Sequence, residues 1–231
     1  MTGGSIGTIE TTEGNDVIDV SDGDTTAILA GAGNNRVTTG DDFVHSILTF
    51  DGRDKIETGT GGFNTIETGA GNDDITVGAG YGTSINTGDG VDKVWTSTHF
   101  IESISVGNDR DVVVMGAGGV RNLNLGEGDD RATFEDGGAT LVNGGDGQER
   151  VVMGDVWLSL IQLGNDNDFM EINKTTSEGG ARISGGSGVD TLDFRGTTGA
   201  INLSLNFVGE FQNIGGPDPL DLGVSSLGFF S

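Results

Sequence analysis

Ten acidic or amide side chains recur along the chain at a nearly constant spacing. The first eight steps between them are 19 residues each, and only the last, from 168 to 190, is 22. The series is Asp16, Asn35, Asp54, Asp73, Asp92, Asp111, Asp130, Glu149, Asp168 and Asp190. A fixed period of this length predicts one supersecondary unit stacked on itself. Stacking would place these ten side chains, here called the ladder, in one row along an edge of the molecule.

A row of carboxylates requires a counter-charge. Two carboxylates about 5 Å apart repel each other by roughly 3 kcal/mol at an effective dielectric constant near 20. Summed along the ladder, this repulsion exceeds the roughly 5–15 kcal/mol net stability of a typical protein. Either the side chains therefore splay into solvent, or hard cations lie between them.

Calcium is the cation that this pattern favours. It accepts six to eight oxygen ligands with flexible geometry, and glycine-rich turns expose carbonyl oxygens beside each carboxylate. Magnesium demands stricter octahedral geometry and retains its water. Zinc is disfavoured because the chain has no cysteine and only two histidines, His45 and His99. The remaining alternative is that the ladder residues merely cap turns without any metal.

Two apolar columns predict the elements that position the ladder. The first column lies two residues after each ladder residue and the second lies ten residues further on. The first column is Ile18, Val37, Ile56, Ile75, Val94, Val113, Ala132, Val151, Met170 and Leu192. The second is Ile28, Ile47, Ile66, Ile85, Ile104, Leu123, Val142 and Ile161. Each column marks a short strand whose alternate residues face inward.

The predicted fold is therefore all-β. It is a right-handed parallel β-solenoid of about ten 19-residue coils, with the hand taken from the crossover rule. A partial N-terminal coil spans residues 1–13 and the solenoid spans 14–194. A bulge around 175–180 absorbs the three extra residues of one coil. The period dissolves after Asp190, so residues 195–231 are interpreted as a C-terminal cap over the open sheet ends.

Composition narrows the classes of partner. The chain has 36 acidic and 11 basic residues, for a net charge of −25. This balance argues against nucleic acid and anionic membrane surfaces, and for bound cations. The 44 glycines and two prolines fit many tight turns rather than a linker. No stretch reaches the ~18 apolar residues that a membrane helix requires.

The turn before each ladder residue has the pattern Gly-x-Gly-x-Asp, as in Gly69, Gly71 and Asp73. This pattern resembles the calcium-binding nonapeptide repeat of RTX proteins, and the match covers residues 14–194. The resemblance implies that each calcium lies between adjacent turns. The implied bridging pairs are Asp54–Asp73, Asp73–Asp92, Asp92–Asp111 and Asp111–Asp130. Carbonyl ligands would come from turn residues, namely Gly31, Gly33, Gly69, Ala70, Gly71, Gly88, Asp89, Gly90, Gly107, Gly126 and Gly128.

The chain departs from the usual RTX pattern in several places. Its carboxylates lie on one edge only and its period is longer, a form similar to the calcium-bound solenoid of a bacterial ice-binding adhesin. Phe50, Asp109 and Asp166 replace turn glycines. Asn35 and Glu149 replace ladder aspartates, so we expect weaker or missing metal sites at these two positions.

The resemblance implies a secreted bacterial protein that leaves the cell by type I secretion and folds on binding calcium. Its role would be structural, adhesive or secretion-assisting. The segment Leu220–Ser231 is equally interpreted as a secretion signal or as part of the hydrophobic cap. No N-terminal signal peptide is expected, because Met1–Glu10 lacks a basic region and an apolar run.

Three alternatives to this role follow from the outer faces. An ice-binding solenoid would need regular rows of Thr and Asn, but the row from Ala32 to Asn165 is charged and irregular. An enzyme is not expected, because no catalytic pair converges within a coil and the acidic surface would repel anionic polysaccharide. A non-catalytic module of a secreted polysaccharide-active enzyme is a further alternative.

The outward positions of the first strand carry an apolar stripe. Its members are Trp95, Val112, Val114, Val152 and Phe169. Self-association through this stripe, or a surface or polysaccharide ligand, is expected rather than nucleic acid or membrane insertion.

Overall fold

Each coil of the chain contributes one short strand to each of two parallel sheets. The computed structural model describes residues 4–154, 156–173 and 182–197, and the backbone of 211–215. The strands form two sheets, here called sheet 1 and sheet 2. All pairings within both sheets are parallel between consecutive coils, so the described chain is an all-β solenoid of about nine turns. The predicted fold class is confirmed.

Sheet 1 has ten strands and sheet 2 has eleven. The strands of sheet 1 are β1 (Ile6–Glu10), β3 (Thr25–Leu29), β5 (Val44–Leu48), β7 (Phe63–Glu67), β9 (Gly82–Asn86), β11 (Ile101–Ser105), β13 (Val120–Glu127), β15 (Ala139–Asp146), β17 (Leu158–Asn165) and β19 (Arg182–Ser187). Those of sheet 2 are β2 (Val17–Val20), β4 (Arg36–Thr39), β6 (Lys55–Glu57), β8 (Asp74–Thr76), β10 (Lys93–Trp95), β12 (Val112–Met115), β14 (Arg131–Phe134), β16 (Arg150–Met153), β18 (Phe169–Ile172), β20 (Asp190–Asp193) and β21 (Phe211–Gly215).

The sequence period is the register of the sheets. Ile47 pairs with Ile66 in sheet 1, and Ile56 pairs with Ile75 in sheet 2, each 19 residues apart. These isoleucines are completely buried, as are their counterparts in neighbouring coils. The two apolar columns therefore form the inner faces of the two sheets, and the core is a single layer between them. Truncating one such isoleucine to alanine would cost about 2–5 kcal/mol.

A second buried ladder, of threonines, runs beside the apolar core. The hydroxyl groups of Thr49, Thr68 and Thr87 donate to the main-chain oxygens of Thr68, Thr87 and Val106 in the next coil, at 3.1, 3.0 and 2.8 Å. Each buried hydroxyl is therefore satisfied by the coil that stacks on it. These bonds fix the distance between coils next to the ladder.

The C-terminal part of the prediction lies mainly outside the described residues. The bulge expected around 175–180 and the segment Leu220–Ser231 both fall there. Within the predicted cap, β21 pairs in parallel with β20 and so continues sheet 2. Among the described residues there is no helix long and apolar enough to cross a membrane.

Candidate metal centre

The ladder residues lie in one row because each immediately precedes a strand of sheet 2, except Asp190, which is the first residue of β20. Asp73 precedes β8 and Asp92 precedes β10, and these strands pair in register. The turns before them stack backbone on backbone. Gly71 has φ 144°, and a Cβ on it would lie 1.6 Å from the carbonyl oxygen of Gly52. Only glycine satisfies both constraints, so the turn carbonyls of successive coils come close to the ladder.

Two aspartates that replace turn glycines keep a positive φ but not the same backbone conformation. Asp109 has φ 76° and Asp166 has φ 75°, both in the left-handed region, whereas the equivalent Gly71 and Gly90 have φ 144° and 129°. Aspartate tolerates the left-handed region better than most residues, although it is strained there. The backbone of the turn therefore changes where the Gly-x-Gly pattern is broken.

The ladder is buried. Asp54, Asp73, Asp92, Asp111 and Asp130 are each at most 1% exposed. Asn35, Glu149, Asp168 and Asp190 are buried as well, and Asp16 at the N-terminal end is half-buried. Of the two arrangements that the sequence left open, the structure therefore excludes carboxylates splayed into solvent. The negative charge of the ladder therefore has to be neutralised inside the protein.

One oxygen of each carboxylate has a regular partner. The backbone N–H of Asp73 donates to Oδ1 of Asp92 at 2.8 Å, and the same bond joins the ladder residues of most neighbouring coils. The others run from Asn35 to Asp54, Asp54 to Asp73, Asp92 to Asp111, Asp111 to Asp130, Glu149 to Asp168 and Asp168 to Asp190. Oδ1 thus acts as a structural acceptor that links one coil to the preceding one.

The other oxygen is buried without a partner. Among the described residues, Oδ2 of Asp54, Asp73, Asp92, Asp111, Asp130 and Asp168 has no hydrogen-bond donor. Leaving a single buried acceptor unsatisfied costs about 1–3 kcal/mol, and more when the group is charged. A row of such oxygens at one site is a strong indication that something else binds them.

Asn35 shows what surrounds that second oxygen. Its Nδ2 takes the place of Oδ2 and donates to the carbonyl oxygens of Gly31 at 3.1 Å and Gly33 at 2.9 Å. Its Oδ1 accepts the N–H of Asp16 at 3.1 Å, as the aspartates do for their neighbours. By comparison with Asn35, we infer that an aspartate in this position directs Oδ2 toward the same two turn carbonyls, although those of Gly69, Gly88 and Gly107 also accept an N–H from the next coil. Such a group of oxygens is stable only with a cation or a proton.

The pKa values of the ladder reflect this environment. Burial raises the pKa of Asp54 and Asp73, and raises that of Asp92 and Asp130 to about 6. Burial, followed by the charges of its neighbours Asp130 and Asp92, raises the pKa of Asp111 to about 8. The N–H of Asp54, which donates to Oδ1 of Asp73 at 2.8 Å, opposes the rise of the Asp73 pKa. The fold therefore penalises the ionised ladder at neutral pH.

Glu149 breaks the regular pattern. Both of its carboxylate oxygens are buried without a hydrogen-bond donor, whereas the aspartates leave only one such oxygen. Burial raises its pKa first, and the adjacent Asp168 carboxylate raises it further. The extra methylene group displaces the carboxylate from the position that aspartate occupies. The metal site expected beside Glu149 therefore has a different oxygen arrangement from the others.

The predicted carbonyl ligands fall into two groups. Those of Ala70 and Asp89 accept hydrogen bonds from the N–H groups of Gly52 and Gly71, at 2.7 and 2.8 Å. The carbonyls of Gly69, Gly88 and Gly107 likewise accept hydrogen bonds, from the N–H groups of Asp89, Asn108 and Glu127 at 3.2, 3.2 and 2.9 Å, whereas those of Gly31 and Gly33 accept the Asn35 amide. The side chain of Asp89 is exposed and accepts a hydrogen bond from Asn108 at 2.6 Å, so it lies outside the ladder.

The donor set fits a hard cation. Within the described ranges, no three His, Cys, Asp or Glu side chains converge on one point. A metal here would be bound by ladder carboxylates together with main-chain carbonyl oxygens, which is the ligand type of calcium. The threonine ladder was not anticipated, although Thr49, Thr68 and Thr87 show the same 19-residue spacing.

No protein-family model, curated protein or solved structure matches this chain. Its function has to be inferred from the geometry of the ladder and of the outer faces.

Proposed function

We propose that the chain is a calcium-binding β-solenoid that folds when it binds the metal. It would serve as a structural or adhesive part of a secreted protein and carry out no chemistry of its own. The row of ions would follow the ladder, and the RTX-like turn pattern supports the same assignment.

The observation that carries this proposal is the contrast between Asn35 and its aspartate counterparts. The Asn35 amide satisfies two turn carbonyls by itself. At the equivalent position Asp54, Asp73, Asp92, Asp111, Asp130 and Asp168 each have a buried oxygen without a donor among the described residues. A divalent cation would supply the missing positive charge to the carboxylate and both carbonyls at once. Calcium suits such a site because it tolerates irregular, oxygen-only coordination.

The residues that would hold calcium follow from this contrast. The pairs Asp54–Asp73, Asp73–Asp92, Asp92–Asp111 and Asp111–Asp130 join regular coils. The turn of Asn35 would bind no ion, because the amide already occupies that position. The coil of Glu149 would bind calcium more weakly than its neighbours.

Coupling between metal binding and folding follows from the burial of the ladder. Without a cation, folding must either bury several carboxylates or protonate them, and both carry a free-energy cost at neutral pH. Calcium removes that cost, so its binding energy appears as folding energy. Such a chain would fold where calcium is abundant, which is consistent with a role outside the cell.

A calcium titration monitored by far-UV circular dichroism tests the proposal. Starting from chelator-treated protein at pH 7.5, we expect a cooperative gain of β signal in the sub-millimolar to millimolar range. Magnesium at the same concentrations should produce a smaller change. A chain that is fully folded in chelator and binds no calcium would overturn the proposal.

Ice binding finds less support from the outer faces. On sheet 1, the Asn143 amide donates to Asn124 at 2.7 Å, and the Asn124 amide donates to Ser105 at 3.4 Å. On the turn row, Asn108 pairs with Asp89. These polar side chains are engaged with one another rather than presented as a regular open lattice. The ice-binding alternative therefore remains secondary to a calcium-dependent structural role.

A further inference from the structure

The basic residues of this acidic chain are concentrated on one face. Seven of its 11 lysines and arginines lie on the outward positions of β4 to β16 in sheet 2 or in the turns leading into them. They are Arg36, Arg53, Lys55, Lys93, Arg110, Arg131 and Arg150, here called the basic face. The outward strand positions hold five of these cations and only two acids, Glu57 and Asp74. The turns leading into them carry Arg53 and Arg110 together with the exposed acids Asp51, Asp89, Asp109, Glu127, Asp129 and Asp146. Cations therefore predominate on the strands of this face, on a molecule with a net charge of −25.

Register aligns the basic face along the solenoid axis. Arg36, Lys55, Lys93, Arg131 and Arg150 occupy a single column, in which Asp74 and Val112 fill the two intervening positions. Neighbouring strands are about 4.8 Å apart, so the cations recur at steps of one or two coils, about 5–10 Å. The result is a straight row of positive charges rather than a compact cluster.

The middle of this row is not neutralised by the protein. Arg36 and Lys55 pair with Glu57, and Arg150 pairs with Glu171. Within the described part of the chain, Arg53, Lys93, Arg110 and Arg131 make no ion pair. All four are exposed.

A shallow depression lies within the unpaired part of the face. It has a volume of about 170 Å³ and is lined by Arg53, Asn72, Asp73, Asp74, Val91 and Lys93. Two cations there lie beside one amide and two carboxylates, those of Asp73 and Asp74, so the cations offer partners to an anionic group and the other three side chains to hydroxyl groups. The volume is below the roughly 300–1,000 Å³ of a pocket for a complete small ligand, and suits one unit of a longer chain.

Aromatic side chains extend the same surface. Trp95 and Phe169 are half-exposed on the outward positions of sheet 2. The Arg150 guanidinium lies over the Phe169 ring at 4.3 Å from its centroid. Flat apolar surfaces between cations would accommodate the faces of sugar rings whose carboxylates reach the basic column.

We propose that the basic face binds a linear acidic polysaccharide with one carboxylate on each sugar ring, lying along the solenoid axis. Its charge spacing is comparable with that of the column, and its hydroxyl groups suit Asn72 and Asp74. Double-stranded DNA carries one charge per ~1.7 Å, which would place about three phosphates against each coil step. A second copy of the chain docked through the same face would bring cations against cations.

The proposal depends on the fold but not on the position of the calcium ions. The experiment therefore uses the full chain at constant free calcium, with circular dichroism confirming that every variant is folded. The probe is a hexamer of galacturonic acid, too short to form a calcium gel. Binding is followed by calorimetry and by Trp95 fluorescence in a Trp157→Phe background.

The decisive variant is Lys93→Gln with Arg131→Gln. We expect its affinity for the hexamer to fall about tenfold, as removal of two exposed charge contacts implies. The matched control, Arg121→Gln with Arg182→Gln, changes the net charge equally on the outer face of sheet 1. It should change the affinity less than twofold. A neutral maltohexaose should not bind.

Four results would overturn the proposal. These are no binding of the hexamer, equal losses in the two double variants, tighter binding of a thymidine hexanucleotide, and dimerisation in sedimentation that Lys93→Gln with Arg131→Gln abolishes. The last would assign the face to self-association. A protein that folds in chelator yet binds the hexamer would contradict the calcium proposal alone, so the two can fail separately.

Discussion

Replacing Asp92 with asparagine is expected to stabilise the metal-free protein at neutral pH and to weaken its binding of calcium. The Asp92 side chain is 0% exposed, and burial raises its pKa from 3.8 to about 6. An asparagine would keep the acceptor for the Asp73 N–H. Its amide would donate to the carbonyls of its own turn, as Asn35 does. The asparagine amide would therefore supply to the turn carbonyls the positive partner that calcium is proposed to supply.

The magnitude follows from the pKa shift. A rise of about two units corresponds to about 3 kcal/mol of destabilisation when the group is ionised. The ladder lies beneath a single turn at the edge of the fold, where solvent screening weakens such effects, so we expect about 1–3 kcal/mol. Because the folded pKa is raised, this destabilisation is absent below the unfolded pKa near 4 and develops in full as pH rises through 6. The gain from Asp92→Asn should thus be full at pH 7.5 and vanish near pH 4.

The assay is refolding of chelator-treated protein by trimethylamine oxide, which favours compact states without adding a cation. Asp92→Asn should fold at a lower osmolyte concentration than the wild type. Asp89→Asn, an exposed neighbour with the same change in charge, should stay within about 0.5 kcal/mol of it. In calcium the order reverses, with fewer ions bound by Asp92→Asn.

Two results would refute this reasoning. If Asp92→Asn were less stable than the wild type in chelator at pH 7.5, the buried carboxylate would not be a liability of the metal-free fold. If Asp89→Asn gave the same gain, the effect would come from net charge alone and not from the ladder.

Three further predictions address the same site. Asn35→Asp should add one bound calcium ion, measured by calorimetry, and should destabilise the chelator-treated protein. An unchanged number of bound ions would contradict the inference that the Asn35 amide takes the place of a calcium ion. Because burial raises the pKa of Asp111 to about 8, the metal-free protein should become less stable as pH rises from 4 to 8. Unfolding followed by circular dichroism measures this, and a stability that does not change with pH would contradict it. Gly71→Ala should lower the free energy of unfolding in urea by more than about 2 kcal/mol, because φ is 144° and the Gly52 carbonyl blocks a Cβ. As a control, Gly7→Ala should be nearly neutral, because a Cβ on Gly7 meets no atom within 4 Å.

Much of the fold was predictable because one period controls several levels of structure. A step of 19 residues places Ile56 on Ile75 and Ile47 on Ile66, so the apolar columns give the strand positions and the register together. The same step placed the ladder at the entry to each strand of sheet 2. Handedness and the cap over residues 195–231 remain predictions.

Other features of the candidate site could not be derived from spacing. A residue at a turn can face solvent or the interior, and the sequence left both open for Asp73 and its counterparts. The structure shows burial, because the glycine turns stack closely and the N–H of the preceding coil holds Oδ1. Asn35 was expected to weaken or remove a metal site, but its spacing did not show that its amide donates to the carbonyls of Gly31 and Gly33.

Net charge does not describe how charge is distributed over the outer faces. The value of −25 led to the expectation that anionic polysaccharide would be repelled. The basic residues were visible one position after the ladder, at Arg36, Lys55, Lys93, Arg131 and Arg150. Only the register of sheet 2 shows that they form a row on one face.

The most direct test of calcium in the ladder is an anomalous difference map from crystals grown with calcium, recorded at long X-ray wavelength. If calcium binds along the ladder, we expect a row of peaks about 4.8 Å apart along the aspartates from Asp54 to Asp130, with no peak at the Asn35 amide. A map with no peaks along the ladder, or with ions only on the exposed acidic turns, would contradict it.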